Sequence, residues 1–177
     1  RSAFSDFPRP RVSIDASPWG FGSVRFDDKW RPTHYLYDRW RGADHQRLNT
    51  RAGVSDSMTV FEALALLITL RVWSSESRGL SYAVRSDSAG TVHALSKLRS
   101  ANPSMNAIAA EVALDLAAHV YEPLRITHIP GVSNVIPDTL SKMFQPNVEH
   151  LLPMQLTHAI RVPAPARDRT FWLVGAL

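Results

Sequence analysis

The chain reads as an α/β domain, a mixed sheet with helices packed on its faces. Three observations predict this. The first 40 residues hold three extended runs in which apolar and polar residues alternate, as in strands. A helical segment that is apolar almost all round follows them. Helical and extended segments then take turns to about residue 144, as they do where helices cover a sheet with parallel strands.

Each element has its own signal. Residues 1–10 carry two prolines and no period, and read as a linker. In 11–17, Val12, Ile14 and Ala16 alternate with Ser13, Asp15 and Ser17. Pro18-Trp19-Gly20 breaks that run, and 21–27 resumes it. A turn at Asp27-Asp28-Lys29 leads to a third strand over 33–40, rich in Tyr, Trp and Leu. Residues 42–57 are polar and without period, so a loop is expected. The helix predicted over 59–73 has too few polar residues for a surface position and should be buried. A strand over 80–87, a short helix over 89–98, a long helix over 104–121 and a strand over 124–129 follow. Pro130-Gly131 stops that strand, and a last short helix over 134–143 carries Pro137 in its first turn. Beyond Gln145 prolines interrupt every pattern. Residues 145–177 are a tail or linker, or pack back through Phe171-Trp172-Leu173. The main domain is therefore 11–144.

Composition narrows the function classes. With 177 residues, 45% hydrophobic and 20% charged, the chain has enough apolar material for a core. No uninterrupted apolar run approaches the roughly 18 residues that cross a bilayer. The best, 63–70, contains Thr69 and ends at Arg71, and the charged start does not resemble a signal peptide. No membrane role is expected. The absence of cysteine excludes disulfides, thiolate metal sites and cysteine nucleophiles. The formal charge is +4, and only three of the 20 bases are lysine. Arginine contacts phosphates in two-point fashion, so the surplus permits a nucleic-acid partner.

Four acids sit at the ends of predicted core elements instead of on solvated faces. Asp15 closes the first strand, Asp87 closes the fourth, Glu62 opens the most apolar helix and Asp138 lies in the first turn of the last one. Glu62 is the most telling. Its helical neighbours Met58, Thr59, Ala65 and Leu66 include no cation, and a buried carboxylate needs compensation from elsewhere in the fold. A divalent cation that prefers oxygen ligands would supply it. Each acid also has a purely structural alternative: a capping box for Glu62, a turn for Asp15, a helix N-cap for Asp87 and a dipole contact for Asp138.

The phrases Ile14-Asp15-Ala16-Ser17 with Gly20 and Gly22, Glu62-Ala63-Leu64, Ser86-Asp87-Ser88, and the run from His128-Ile129-Pro130-Gly131 through Asn134, Pro137-Asp138 and Leu140-Ser141-Lys142 together resemble one family. It is the ribonuclease H domain of retroelement reverse transcriptases, most similar to the tyrosine-recombinase class of retrotransposons. The resemblance covers residues 11–144. It implies a five-stranded mixed sheet in the order 3-2-1-4-5, with Asp15, Glu62, Asp87 and Asp138 converging at its carboxyl edge to hold two Mg²⁺ ions, with Mn²⁺ as the alternative. It implies hydrolysis of the RNA strand of an RNA–DNA hybrid, with His128 assisting proton transfer or product release. It points to Ser17, Trp19, Gly20, Ser88 and Asn134 as substrate contacts. The expected partners are the hybrid and an upstream polymerase domain of the same polyprotein, in the cytoplasm or nucleus. Pro137 replaces the family's usual alanine. Between Ala89 and Asn106 only Lys97 and Arg99 are basic, so weak, salt-sensitive hybrid binding is expected.

Two other classes share some of these residues. A non-catalytic nucleic-acid-binding or connection domain of this fold would be expected to have lost at least one of the four acids. A sugar kinase or ATPase built on the Asp15–Gly20–Gly22 hairpin needs about twice this length. The tryptophans, Trp19 foremost, can stack on bases or simply fill the core.

Overall fold

A computed structural model of the chain describes residues 11–74, 83–86, 91, 97–121, 125–128 and 133–174. The expectations for 1–10 and for most of the 89–98 helix lie outside the described residues. Among the described residues six strands form one mixed sheet: β1 (Arg11–Ala16), β2 (Gly20–Phe26), β3 (Pro32–Arg39), β4 (Ala83–Ser86), β5 (Arg125–His128) and β6 (Ile160–Arg161), in the order β5-β4-β1-β2-β3-β6. The first three make an antiparallel meander, with Asp15 opposite Gly22 and Val24 opposite Tyr35. β4 lies parallel to β1, and β5 parallel to β4.

The order expected for five strands is present, but the count of five is corrected to six. β6 adds parallel to β3, with Val162 N–H donating to Tyr35 O at 2.8 Å. Two residues between prolines are too short to show a period, which is why the sequence pattern hides this strand.

Alternation along β1 sends Val12, Ile14 and Ala16 to one face, against α2 (Met58–Ser74). That helix is buried at every position from Val60 to Leu70, as its composition demands. Including the preceding turn, Ser55–Ser74 reaches the length and mean hydropathy (1.4) of a membrane span, which a search for unbroken apolar runs misses. Its side chains are instead spent on the core, which α3 (Pro103–Ala117) closes with Met105, Ile108, Ala109 and Val112. The opposite face of the sheet carries α4 (Val135–Ser141), where Leu140 packs with Val24, Tyr35 and Leu156.

Two further expectations are corrected. The loop over 42–57 contains α1 (Gly42–Leu48) and a 3-10 turn, Ser55–Ser57. Asp44 accepts from the backbone N–H of Arg41 at 2.8 Å, and Asn49 ends the helix at φ 48°. About two turns with one buried apolar anchor, Leu48, leave no helical period to read. The long helix ends at Ala117 and not at Tyr121. Left-handed His119 (φ 52°) turns the chain, so that Val120 N–H bonds back to Asp115 O and Tyr121 enters the core.

Residues 145–174 pack back onto the domain. Leu156 and Phe171 are buried, and Arg167 lies fully buried beside Asp44.

Candidate active site

The carboxyl end of β1 brings together two of the candidate acids, Asp15 and Glu62. Asp15 and Glu62 are 4% and 3% exposed. They arrive from opposite faces of the sheet. The pleat points Asp15 toward α4, where Ser141 Oγ lies 2.9 Å from its Oδ2. Glu62 comes from α2 and accepts the backbone N–H of Ala16 at 2.7 Å through Oε1. Its Oε2 lies 3.4 Å from Ser86 Oγ, at the last residue of β4. These contacts tie the helix that carries Glu62 to the ends of β1 and β4.

Asp138 is the solvent-facing member. Its side chain is 43% exposed and pairs with Lys142 Nζ at 2.6 Å, one helical turn on. Asp87 and Ser88 lie outside the described residues, as does the side chain of His128, whose backbone closes β5. Among the described residues no group of three His, Asp or Glu side chains is close enough to hold a metal ion. The donor chemistry of Asp15 and Glu62 nonetheless suits a hard divalent cation, since both are carboxylates brought to one strand end.

A polar seam joins α4 to β1. Ser17 Oγ donates to Ser141 O at 2.6 Å, and Asn134 Nδ2 donates to Ile14 O at 2.7 Å. Asn134 is 1% exposed, and its Oδ1 has no hydrogen-bond partner among the described residues. Gly22 makes the seam possible. A Cβ there would lie 2.6 Å from Pro137 O and 2.9 Å from Ser141 N, so only glycine lets α4 rest on β2. Gly20 has a similar role, since its Cβ would meet Asp38 O at 2.5 Å.

The predicted substrate contacts at 17–20 are largely engaged within the protein. Trp19 and Gly20 N–H groups both lie within hydrogen-bond reach of Ser17 Oγ, and Ser17 O accepts from Trp40 Nε1. The Trp19 ring is half-buried over Gly53, where a Cβ would lie 2.5 Å from Cη2. Trp40 and Trp73 are buried core residues. Ser141, Ser86 and Lys142 were not singled out from sequence. The signal for the first and last was their spacing, three and four residues after Asp138 on one short helix.

No protein-family model matches the chain, and no curated protein sequence matches it. Solved structures do. Ribonuclease H1 from the halophilic archaeon Halobacterium salinarum aligns with a TM-score of 0.58 at 19% identity, over 75% of this chain and 93% of that one. LC11 ribonuclease H1, a compost metagenome enzyme solved in complex with an RNA/DNA hybrid, aligns with a TM-score of 0.55 at 22% identity, again over 75% and 93%. The N-terminal ribonuclease H domain of Rv2228c from Mycobacterium tuberculosis gives 0.53 at 17% identity, over 74% and 90%. The chain therefore has the ribonuclease H fold.

Proposed function

We propose that this chain is a metal-dependent endonuclease that hydrolyses the RNA strand of RNA–DNA hybrids. The observation that carries the reading is the meeting of Asp15 and Glu62, both buried, at the carboxyl end of β1, with α4 and its Asp138 fastened to the same strand. The fold is shared with LC11 ribonuclease H1, which has been solved with such a hybrid. A fold by itself hosts many activities, so the reading rests on the acids and their placement.

Asp15, Glu62, Asp87 and Asp138 would hold two divalent cations, which when bound activate a water and stabilise the leaving 3′-oxygen. The chain's own residues prepare for this. The Ala16 N–H fixes Glu62, Ser141 fixes Asp15, and Lys142 offsets the charge of Asp138 while leaving it at the surface. The 17–20 turn, its polar groups engaged internally, forms a stiff rim for a nucleic-acid backbone. Contacts to RNA 2′-hydroxyls would discriminate the strands, and the half-buried Trp19 face is the group we assign to substrate there, since Asn134 is enclosed in the seam. The motif at residues 128–142 supports a retroelement setting, with a polymerase domain of the same polyprotein as partner inside the cell.

The test is cleavage of an end-labelled RNA–DNA hybrid with Mg²⁺ or Mn²⁺, beside RNA alone and the Asp15→Asn and Asp87→Asn variants. Cutting of the hybridised RNA alone, metal-dependent and lost in both variants, is the expected result. Binding of hybrid without cutting, with the polymerase segment present, would sink the enzyme reading in favour of a binding module.

A further inference from the structure

The seam between α4 and β1 contains one contact that the four-acid reading does not use. Ser141 is completely buried, and its Oγ sits 2.9 Å from Asp15 Oδ2 and 2.8 Å from Asp138 O. One hydroxyl proton cannot serve both acceptors at once. The carboxylate is the stronger, because a hydrogen bond to an ionised group is shorter and roughly twice as strong as a neutral one. The carbonyl contact then orients the hydroxyl, since a serine bonding back by one turn has few rotamers left. Ser141 lies three residues after Asp138, on the turn that presents it. Its own carbonyl is held by Ser17 Oγ at 2.6 Å, from the residue two beyond Asp15.

We propose that Ser141 is a positioning residue. It aims the Asp15 carboxylate and sets the register of the Asp138 turn against it, so that two acids from opposite ends of the sequence address the same ions. This rests on the nuclease reading above. A hydroxyl that only filled the seam would need no carboxylate partner, and an alanine would pack there at least as well. Groups that orient a metal-binding carboxylate without touching the ion typically matter 10–100-fold to affinity.

The experiment compares wild type, Ser141→Ala, Ser141→Cys and Thr139→Ala. Thr139 sits on the same helix, and its hydroxyl donates to Val135 O at the surface. Mn²⁺ affinity is read by electron paramagnetic resonance on the full chain without substrate, and hybrid cleavage is followed across a Mg²⁺ titration. Ser141→Ala should weaken Mn²⁺ binding about 10–100-fold and shift the Mg²⁺ dependence by a similar factor, with cleavage partly recovered at saturating Mg²⁺. Thr139→Ala should match wild type. Ser141→Cys keeps the size and a weak donor, so it should fall between, and it stands in if the alanine variant does not fold. Unchanged Mn²⁺ affinity in the folded Ser141 variants, beside a wild type that binds, overturns the proposal alone. A wild type that neither binds Mn²⁺ nor cuts hybrid overturns the nuclease reading as well.

Discussion

Carboxylates are buried in three places in this molecule, two of them built around an arginine and the third at a strand end. Behind α2, Arg71 bonds Glu111 and Asp115, each at 2.8 Å, and also reaches Phe171 O. Burial opposes the charge on Arg71, but the two carboxylates outweigh it and raise its pKa. Beside α1, Arg167 bonds Asp44 at 2.8 Å, Asp38 at 3.1 Å and Arg39 O at 2.9 Å. There every acid has an arginine fitted to it, and both arginines fasten the 162–174 segment to the domain. At the carboxyl end of β1 the described contacts are a serine hydroxyl on Asp15, and a backbone N–H and a serine on Glu62. These contacts aim each carboxylate from a strand end or a helix turn. The comparison teaches that burial alone does not mark a functional acid; its place in the fold, at the end of a strand, does.

The largest effect should come from breaking the first kind. Arg167→Met leaves Asp44, itself 1% exposed, without its guanidinium. Removing one partner of a buried pair typically costs about 3–5 kcal/mol, so urea denaturation should show a loss of that size. An Arg167→Met/Asp44→Leu double variant should recover much of it. Recovery would separate the cost of an orphaned charge from any need for the pair itself. Failure to recover would mean that the bonds to Asp38 and Arg39 O carry the tail.

Gly22→Ala probes the boundary between the regions. The new methyl meets backbone on α4, at Pro137 O and Ser141 N, and backbone cannot rotate away. Overpacking of this kind costs about 1–3 kcal/mol. Because the displaced helix carries Asp138 and Ser141, hybrid cleavage should fall by more than the stability loss explains. Equal activity per folded molecule would show that the register of α4 does not matter to the site.

Glu62→Gln should invert the pattern seen with Arg167. The amide oxygen still accepts from Ala16 N–H, so the helix remains tied to the strand end. Stability should change by no more than about 1 kcal/mol, in either direction, while cleavage is lost. A large destabilisation would place Glu62 with the structural acids.

This contrast also explains how much was legible in the sequence. The meander and α2 follow from periods of two and 3.6 residues over segments long enough to show them, whereas the order of the first five strands comes from the resemblance to ribonuclease H domains. The acids stood out because they occupy the ends of apolar elements. α1, β6 and the burial of Arg167 were invisible for one shared reason. Each is short, and each is stabilised by a partner more than a hundred residues away, as Asp44 is by Arg167. Local pattern carries no trace of such pairs. Ser141 was quoted in a motif, yet its contact with Asp15 spans 126 residues, and only the packing of α4 on Gly22 brings them together.

The smallest effect lies in the structural network and emerges only in alkali. Tyr121 is buried, and its hydroxyl donates to Asp115 Oδ2 at 3.2 Å. Burial first, and then the negative charge of Asp115, push its phenol above the usual value of 10.0. The unfolded chain releases this proton near pH 10, whereas the folded chain keeps it. The stability contributed is therefore fully present below pH 10 and declines as pH rises beyond it, by at most about 1.4 kcal/mol per pH unit. Tyr121→Phe removes the proton that the unfolded state would shed. Its denaturation midpoint should be lower than wild type at pH 8, for want of the bond to Asp115, but should fall less steeply between pH 10 and 11. Parallel slopes would mean that other groups govern alkaline unfolding. The Asp15 and Glu62 end of the sheet has no part in this titration, so hybrid cleavage at pH 8 should be the same in Tyr121→Phe as in wild type.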